Sequence, residues 1–321
     1  MAVAPTRARG SNARVVTAFE ATPGTSPAAG AAWHAAPFVS HTLGEERPLE
    51  EDDLLGQGRE MQDPTEGVAT NDGDIVVPVD ARNFGRWLKL FFGNPLSAGT
   101  PEDGYTHTFK SGAQTLPSIS IEVGSPEVPA YSVNRGCRGN TMRIQMARSG
   151  KLNATLGLIC IGETDPANTS AGGPNPTILP TTRFPNATGS VKRNGQLLGS
   201  VVGASFTFSN QLEKVETIQP DGRIEDSDPG MAMMTGDLTI KFATQELLLA
   251  ASTSPPTPME ITFGWTVGAF TLLFTLPRVF LPKPKRPISG PGGIQAQFNF
   301  QTSGANGNAV IVTLKNDKDS Y

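Results

Sequence analysis

A short alternating stretch headed by Gly-Asp occurs twice in this chain, and no other feature restricts its fold as much. The first copy is Gly73-Asp74-Ile75-Val76-Val77-Pro78-Val79; the second is Gly236-Asp237-Leu238-Thr239-Ile240-Lys241-Phe242. Apolar side chains fall on every second position in both, the period of a half-buried strand. Each copy then runs into a short apolar helix. Phe84, Trp87, Leu88, Phe91 and Phe92 recur at helical spacing after Asp80, a fair N-cap. Leu247, Leu248, Ala250 and Ala251 follow Thr244 in a weaker version. Upstream lie Gly58-Arg59…Asp63-Pro64 and Gly222-Arg223…Asp228-Pro229, and downstream the strands Pro117 to Glu122 and Pro258 to Phe263. Four landmarks in one order predict a diverged tandem duplication.

Around these copies the chain reads as strands and turns. Gly and Pro are abundant (35 and 27), and the net charge is only −4. The expected fold is mainly β: two tandem, diverged barrel or sandwich domains, each with one short flanking helix. Residues 1–35 form an arm with a strand at Val15 to Phe19, and 36–162 form the first domain. Residues 163–188, rich in Pro, Gly, Asn, Ser and Thr, read as a linker, and 189–321 form the second domain. Further strands are predicted at Pro37 to Leu43, Thr141 to Arg148, Leu152 to Ile161, Val201 to Phe208, Met259 to Val267, Phe270 to Leu276, Gln295 to Gln301 and Ala309 to Leu314. Asn194-Gly195 predicts a type I′ hairpin turn. Residues 94–116, rich in Gly, Ser and Thr, are an insertion that the second copy lacks.

Two long polar segments, 44–72 and 210–235, stand at matching places and are rich in Asp and Glu. Loops of that length inside compact domains usually serve a function.

Catalytic chemistry is missing. His34, His41 and His107 lack a second ligand at metal spacing and read as surface or loop residues. Asp72-Gly73-Asp74 and Glu225-Asp226-Ser227-Asp228 do not match a calcium loop and read as turn chemistry. Cys137 and Cys160 are too few for a disulfide framework or a zinc site, and Cys160 reads as a small buried residue. Pro282-Lys283-Pro284-Lys285-Arg286-Pro287 reads as a solvated loop. No catalytic, cofactor or metal residue is assigned, and an enzyme is not expected. The acidic balance argues against a general nucleic-acid binder. With no signal peptide or long apolar run recognisable, a cytoplasmic site of synthesis is expected.

The opening Val16-Thr17-Ala18-Phe19-Glu20-Ala21-Thr22-Pro23-Gly24-Thr25-Ser26-Pro27 resembles that of tail tube (major tail) proteins of long, non-contractile-tailed bacteriophages. Gly73-Asp74 with its strand and helix, Pro117 to Glu122, and Tyr131…Gly136-Cys137-Arg138-Gly139-Asn140 are similar to that family as well. The resemblance implies a structural virion protein, assembled in the host cytoplasm, that polymerises as stacked rings into the channel for DNA ejection. Single-domain members stack as hexameric rings, so a duplicated chain is expected to form trimeric rings of pseudo-sixfold symmetry. Stacking is expected through 44–72 and 210–235, with an acidic or neutral lumen that touches DNA only in transit. Tail terminator, tape measure and tail-tip proteins are the implied partners; no membrane is. The alternative is another ring-forming tail or secretion-tube component, such as a terminator or baseplate ring.

Overall fold

The computed structural model describes residues 7–29, 33–56, 58–241, 245–285 and 294–321. Phe242, Thr244, Arg286 and Pro287, named above, lie outside these residues. The first half contains β1 (Arg14–Phe19), β2 (Ser40–His41), β3 (Gly44–Glu46), β4 (Thr70–Pro78) and α1 (Phe84–Phe92). It continues with β5 (Leu96–Thr100), β6 (Gly104–Lys110), β7 (Ile119–Ser125), β8 (Ala130–Met146), β9 (Asn153–Ile159) and β10 (Gly162–Glu163). The second half contains β11 (Ser190–Arg193), β12 (Val201–Ser209), β13 (Met233–Lys241), α2 (Glu246–Ala251), β14 (Met259–Val267), β15 (Phe270–Phe280), β16 (Gln295–Thr302) and β17 (Ile311–Asn316).

Strand pairing repeats as a scheme. In the first half the order is β1–β7–β8–β9–β4, then β2 and β3, with β10 also beside β8. In the second it is β11–β14–β15–β16–β13–β12, with β17 also beside β15. Registers repeat as well. Gly73 lies opposite Leu158 and Gly236 opposite Phe300, while Ile119 lies opposite Cys137 and Met259 opposite Val279. A one-residue irregularity follows each of the last two pairs, between Ile119 and Ile121 and between Met259 and Ile261.

The Gly-Asp landmark has a steric origin. A Cβ on Gly73 would stand 2.7 Å from Thr42 O, and one on Gly236 2.2 Å from Ser205 O. In both halves the preceding strand crosses where a side chain would begin, and Gly73 also has φ +147°.

Strands β8 and β15 are long because each serves two layers. The first part of β8 pairs with β7 and β10, and its second part with β9 and β12. One sheet therefore runs β3–β4–β9–β8–β12–β13–β16–β15 across both halves. Its buried face packs on the outer strands: Phe206 of β12 lies 4.8 Å from Phe263 of β14 and 5.1 Å from Phe274 of β15, centroid to centroid. The resulting core is one continuous cluster drawn from both halves. The described strands form layered sheets and not a closed barrel.

Several expectations are corrected. The strand β8 begins eleven residues before the predicted Thr141. Residues 94–116 are not merely an inserted loop: they form β5 and β6, and β6 pairs with β17 of the second half. Residues 163–188 dock on the first half. Ser170 Oγ and the Ala171 and Gly172 amides donate to buried Glu122, Thr177–Ile178 pairs with His34–Ala35, and Phe184 is fully buried. Cys160 is buried as expected, and it is bonded to Cys137 on the neighbouring strand. The N-cap of α1 is Asn83; Asp80 is buried just before it and accepts from the Arg82 and Asn83 amides. His107 is buried in β6, bridging Ser97, Asn316 and the Lys318 carbonyl. Asp72 and Asp74 belong to strand β4, and Asp226–Asp228 forms a short strand, so neither acidic cluster is a simple turn.

Candidate assembly surface

Alternation gives the continuous sheet a second, largely polar face, interrupted by Val76, Met233 and Phe280. From β8 it presents Thr141, Arg143 and Gln145; from β12, Ser205, Thr207 and Ser209; from β16, Gln295, Gln297, Asn299 and Gln301. Their neighbours in sequence, such as Met142, Phe206 and Phe298, are the buried ones. Charges on this face are of both signs: Glu46, Asp72, Asp74 and Asp237 against Arg143 and Lys241, with Lys283 and Lys285 beside Gln295, Gln297 and Asn299 at its margin. A sheet with one apolar and one hydrated face is stable as a wall against water.

At one end of this face rise the two long segments. Both carry a short hairpin, Leu49–Glu50 with Thr65–Glu66 and Glu213–Val215 with Asp226–Asp228. Their bases coincide: Gly44 faces Asp72, and Thr207 and Thr235, each 163 positions further on, face one another across β12 and β13. The Glu50–Thr65 and Glu213–Asp228 pairs obey the same offset. Gly58-Arg59 and Gly222-Arg223 miss it by one position. Apolar side chains are displayed on both segments: Leu55 is 94% exposed and Ile218, its equivalent, 104%. Leu54, Met61, Val68 and Met231 are exposed beside them. Both loops therefore display large apolar side chains to solvent.

The two segments are clasped together. Arg223 of the second donates from Nε to Glu45 Oε2 at 2.7 Å and from Nη2 to Glu45 Oε1 at 3.1 Å, and also to the Glu163 carbonyl at 2.8 Å. Burial raises the Glu45 pKa, but hydrogen bonds from Arg223, the Glu163 amide and Arg47 outweigh it and hold the carboxyl down at about 2. The Ala69 amide donates to the Gly222 carbonyl at 2.9 Å, and Lys214 pairs with Asp72 at 2.9 Å.

Two strand edges of the sheet are unpaired among the described residues. Among the described residues, β2 and β3 pair only with β4 and the stretch after Phe280 of β15 pairs with none. None of these surfaces was assigned residue by residue from sequence. The equal spacing of the two segments was the signal available for the loops.

The chain thus combines a repeated sheet that has one hydrated face with two clasped loops that carry exposed apolar side chains. The chain belongs to the phage tail tube protein family: the profile described as "Phage tail tube protein" matches residues 10–302. It is thus a structural component of the virion tail, in a family that assembles into a tube. No curated protein matches the chain. Among the described residues no helix is long and apolar enough to cross a membrane, and no cluster of His, Cys, Asp and Glu could hold a metal ion.

Proposed function

We propose that this chain forms trimeric rings of pseudo-sixfold symmetry that stack into the tube of a long, non-contractile tail, through which DNA passes on ejection. The observation that carries the reading is the sheet spanning both halves, with its hydrated face and repeated pairing scheme. Each chain supplies two equivalent units, so three chains supply six.

The hydrated face lines the channel. Amides and hydroxyls predominate there, and the charges have both signs. A basic lining would bind phosphates by counterion release and hold the strand; this one gives DNA little to hold. The two clasped loops form the ring-to-ring contact, where Leu55 and Ile218 insert into the ring above or below. Terminator, tape measure and tail-tip proteins are the partners at the tube's ends.

End-on electron microscopy of the concentrated protein tests the ring: threefold rings of six similar lobes are expected, and twelve lobes in true sixfold array would overturn the trimer. Leu55→Ser with Ile218→Ser tests the stacking. Monomer stability should stay within about 0.5 kcal/mol of the parent, as for exposed sites generally, while tubes give way to single rings. Tubes of normal length from that variant would remove the loops from the contact.

A further inference from the structure

We infer that the cavity between the two clasped segments binds an uncharged carboxamide or lactam, which Asn71 holds by a pair of hydrogen bonds. The inference goes beyond the tube reading and does not depend on it.

The cavity has a volume of about 340 Å³ and lies where the second segment crosses the end of β9 and the base of the first. Asn71 and Cys160, both buried, form its floor, and Ile161 and Ile224 its walls. Val68 and Ile218, both exposed, stand at its mouth. The second segment is fixed over this space. Besides the Arg223–Glu45 clasp, Asp226 pairs with Arg138 at 2.7 Å, and Ile224 packs against Leu116, Ile159 and Leu212. A preformed pocket with apolar walls and a few polar groups is the usual form of a small-molecule site.

Asn71 is the group that the fold does not account for. It is 4% exposed, yet neither its Oδ1 nor its Nδ2 has a hydrogen-bond partner among the described residues. Its backbone carbonyl accepts from the Cys160 amide at 2.9 Å, which locks the residue into the floor. Burying a carboxamide without partners costs free energy that no contact here returns.

The repeat shows that the scaffold does not require this residue. Two positions before Gly73 stands Asn71, and two before Gly236 stands Met234. Their places match, with Asn71 opposite Glu45 and Met234 opposite Phe208, 163 positions further on in each case. Met234 is fully buried in the apolar core. An apolar residue is what this position takes when only packing is at stake, and local exceptions of this kind fall at functional sites.

The groups lining the cavity define the ligand. Lys214 and Arg223 are already paired, with Asp72 and Glu45. Glu216 is exposed at the rim and makes no ion pair among the described residues. No cation here awaits an anion, so the ligand is neutral. The Asn71 carboxamide offers a donor and an acceptor on one edge. Its complement carries an N–H and a C=O on one edge too, as a primary carboxamide or a lactam does and a trans peptide group does not. A branched aliphatic or small-ring body suits the isoleucine walls.

The test is a titration of the whole chain with isovaleramide, followed through the side-chain amide resonances of Asn71, which Asn71→Met identifies by their loss. Binding to the parent is expected, weakened about tenfold or more in Asn71→Met, the factor that a lost buried hydrogen bond carries. That variant should fold, since Met234 fills the equivalent place, and thermal unfolding without ligand checks it. On the parent alone, isovalerate and N,N-dimethylisovaleramide should each bind about tenfold more weakly than isovaleramide. N-acetylglutamine methylamide identifies the source of the carboxamide. Tighter binding than isovaleramide assigns the site to a glutamine side chain of a polypeptide, weaker binding assigns it to a free molecule, and either supports the site. Equal affinity of parent and Asn71→Met, equal binding of acid and amide, or unmoved Asn71 resonances at the solubility limit of isovaleramide would overturn it.

Discussion

The two helices occupy the same place in the two pairing schemes but are packed very differently. In α1, Phe84, Trp87, Leu88, Leu90, Phe91 and Phe92 are all buried. In α2 only Leu247 and Ala251 are, and Leu249 is 63% exposed. Strand register is nonetheless shared, so the helix is not what sets it. Crossing glycines and a common strand irregularity do that. The first helix also ties the halves together. Its Phe92 stacks on Phe208 of the second half at 4.4 Å, and Asn210 Nδ2 donates to the Phe91 and Gly139 carbonyls. Packing has been concentrated where the halves meet.

Truncating each helix tests this difference most directly. Phe91→Ala removes a fully buried ring facing Gly139 and should cost about 4 kcal/mol, with loss of both halves in one transition. Leu247→Ala in the thinner helix should cost about 2 kcal/mol. Chemical denaturation of the monomer measures both, and equal losses would break the comparison. Next in size is the clasp. Arg223→Ala leaves the Glu45 carboxylate largely buried without its main partner, at a cost of about 3 kcal/mol. The folded pKa of Glu45 lies below its ordinary value, so the clasp's contribution is complete above about pH 4.5 and is lost as pH falls towards about 2. The stability gap between parent and variant should therefore be wide at pH 7 and narrow through that window; a constant gap would remove Glu45 from the account. Equal in size to the Leu247→Ala loss are Gly73→Ala and Gly236→Ala, at about 2 kcal/mol each from overpacking against backbone. Similar losses at the two sites would confirm that the landmark is steric, and a neutral outcome at either would refute it there.

Much of the β architecture was legible because a sheet with one hydrated face writes its period into the sequence. β14 was placed to the residue, and Asn194 and Gly195 adopt the positive φ that their turn requires. The first part of β8 was hidden since it is covered on both faces: Val133, Asn134, Cys137 and Arg138 are all buried, and alternation vanishes. The hairpin β5–β6 was masked by its Gly, Ser and Thr, with Phe109 its sole fully buried large apolar side chain. The assembly surface was legible only as two acidic segments in matching places. Which face is hydrated, and which edges stay open, depends on pairings between residues far apart in the chain.

The pairing of β6 with β17 has a consequence for biosynthesis. Residues 104–110 pair along one edge with 96–100 of the first half, but their other edge is met by 311–316, and the Tyr321 hydroxyl donates to the Arg82 carbonyl at 2.7 Å beside the start of α1. The first half emerges from the ribosome well before these partners exist. Folding cannot proceed half by half to completion; the earlier half must wait with one edge of its β5–β6 hairpin uncovered until the later one delivers the closing strand.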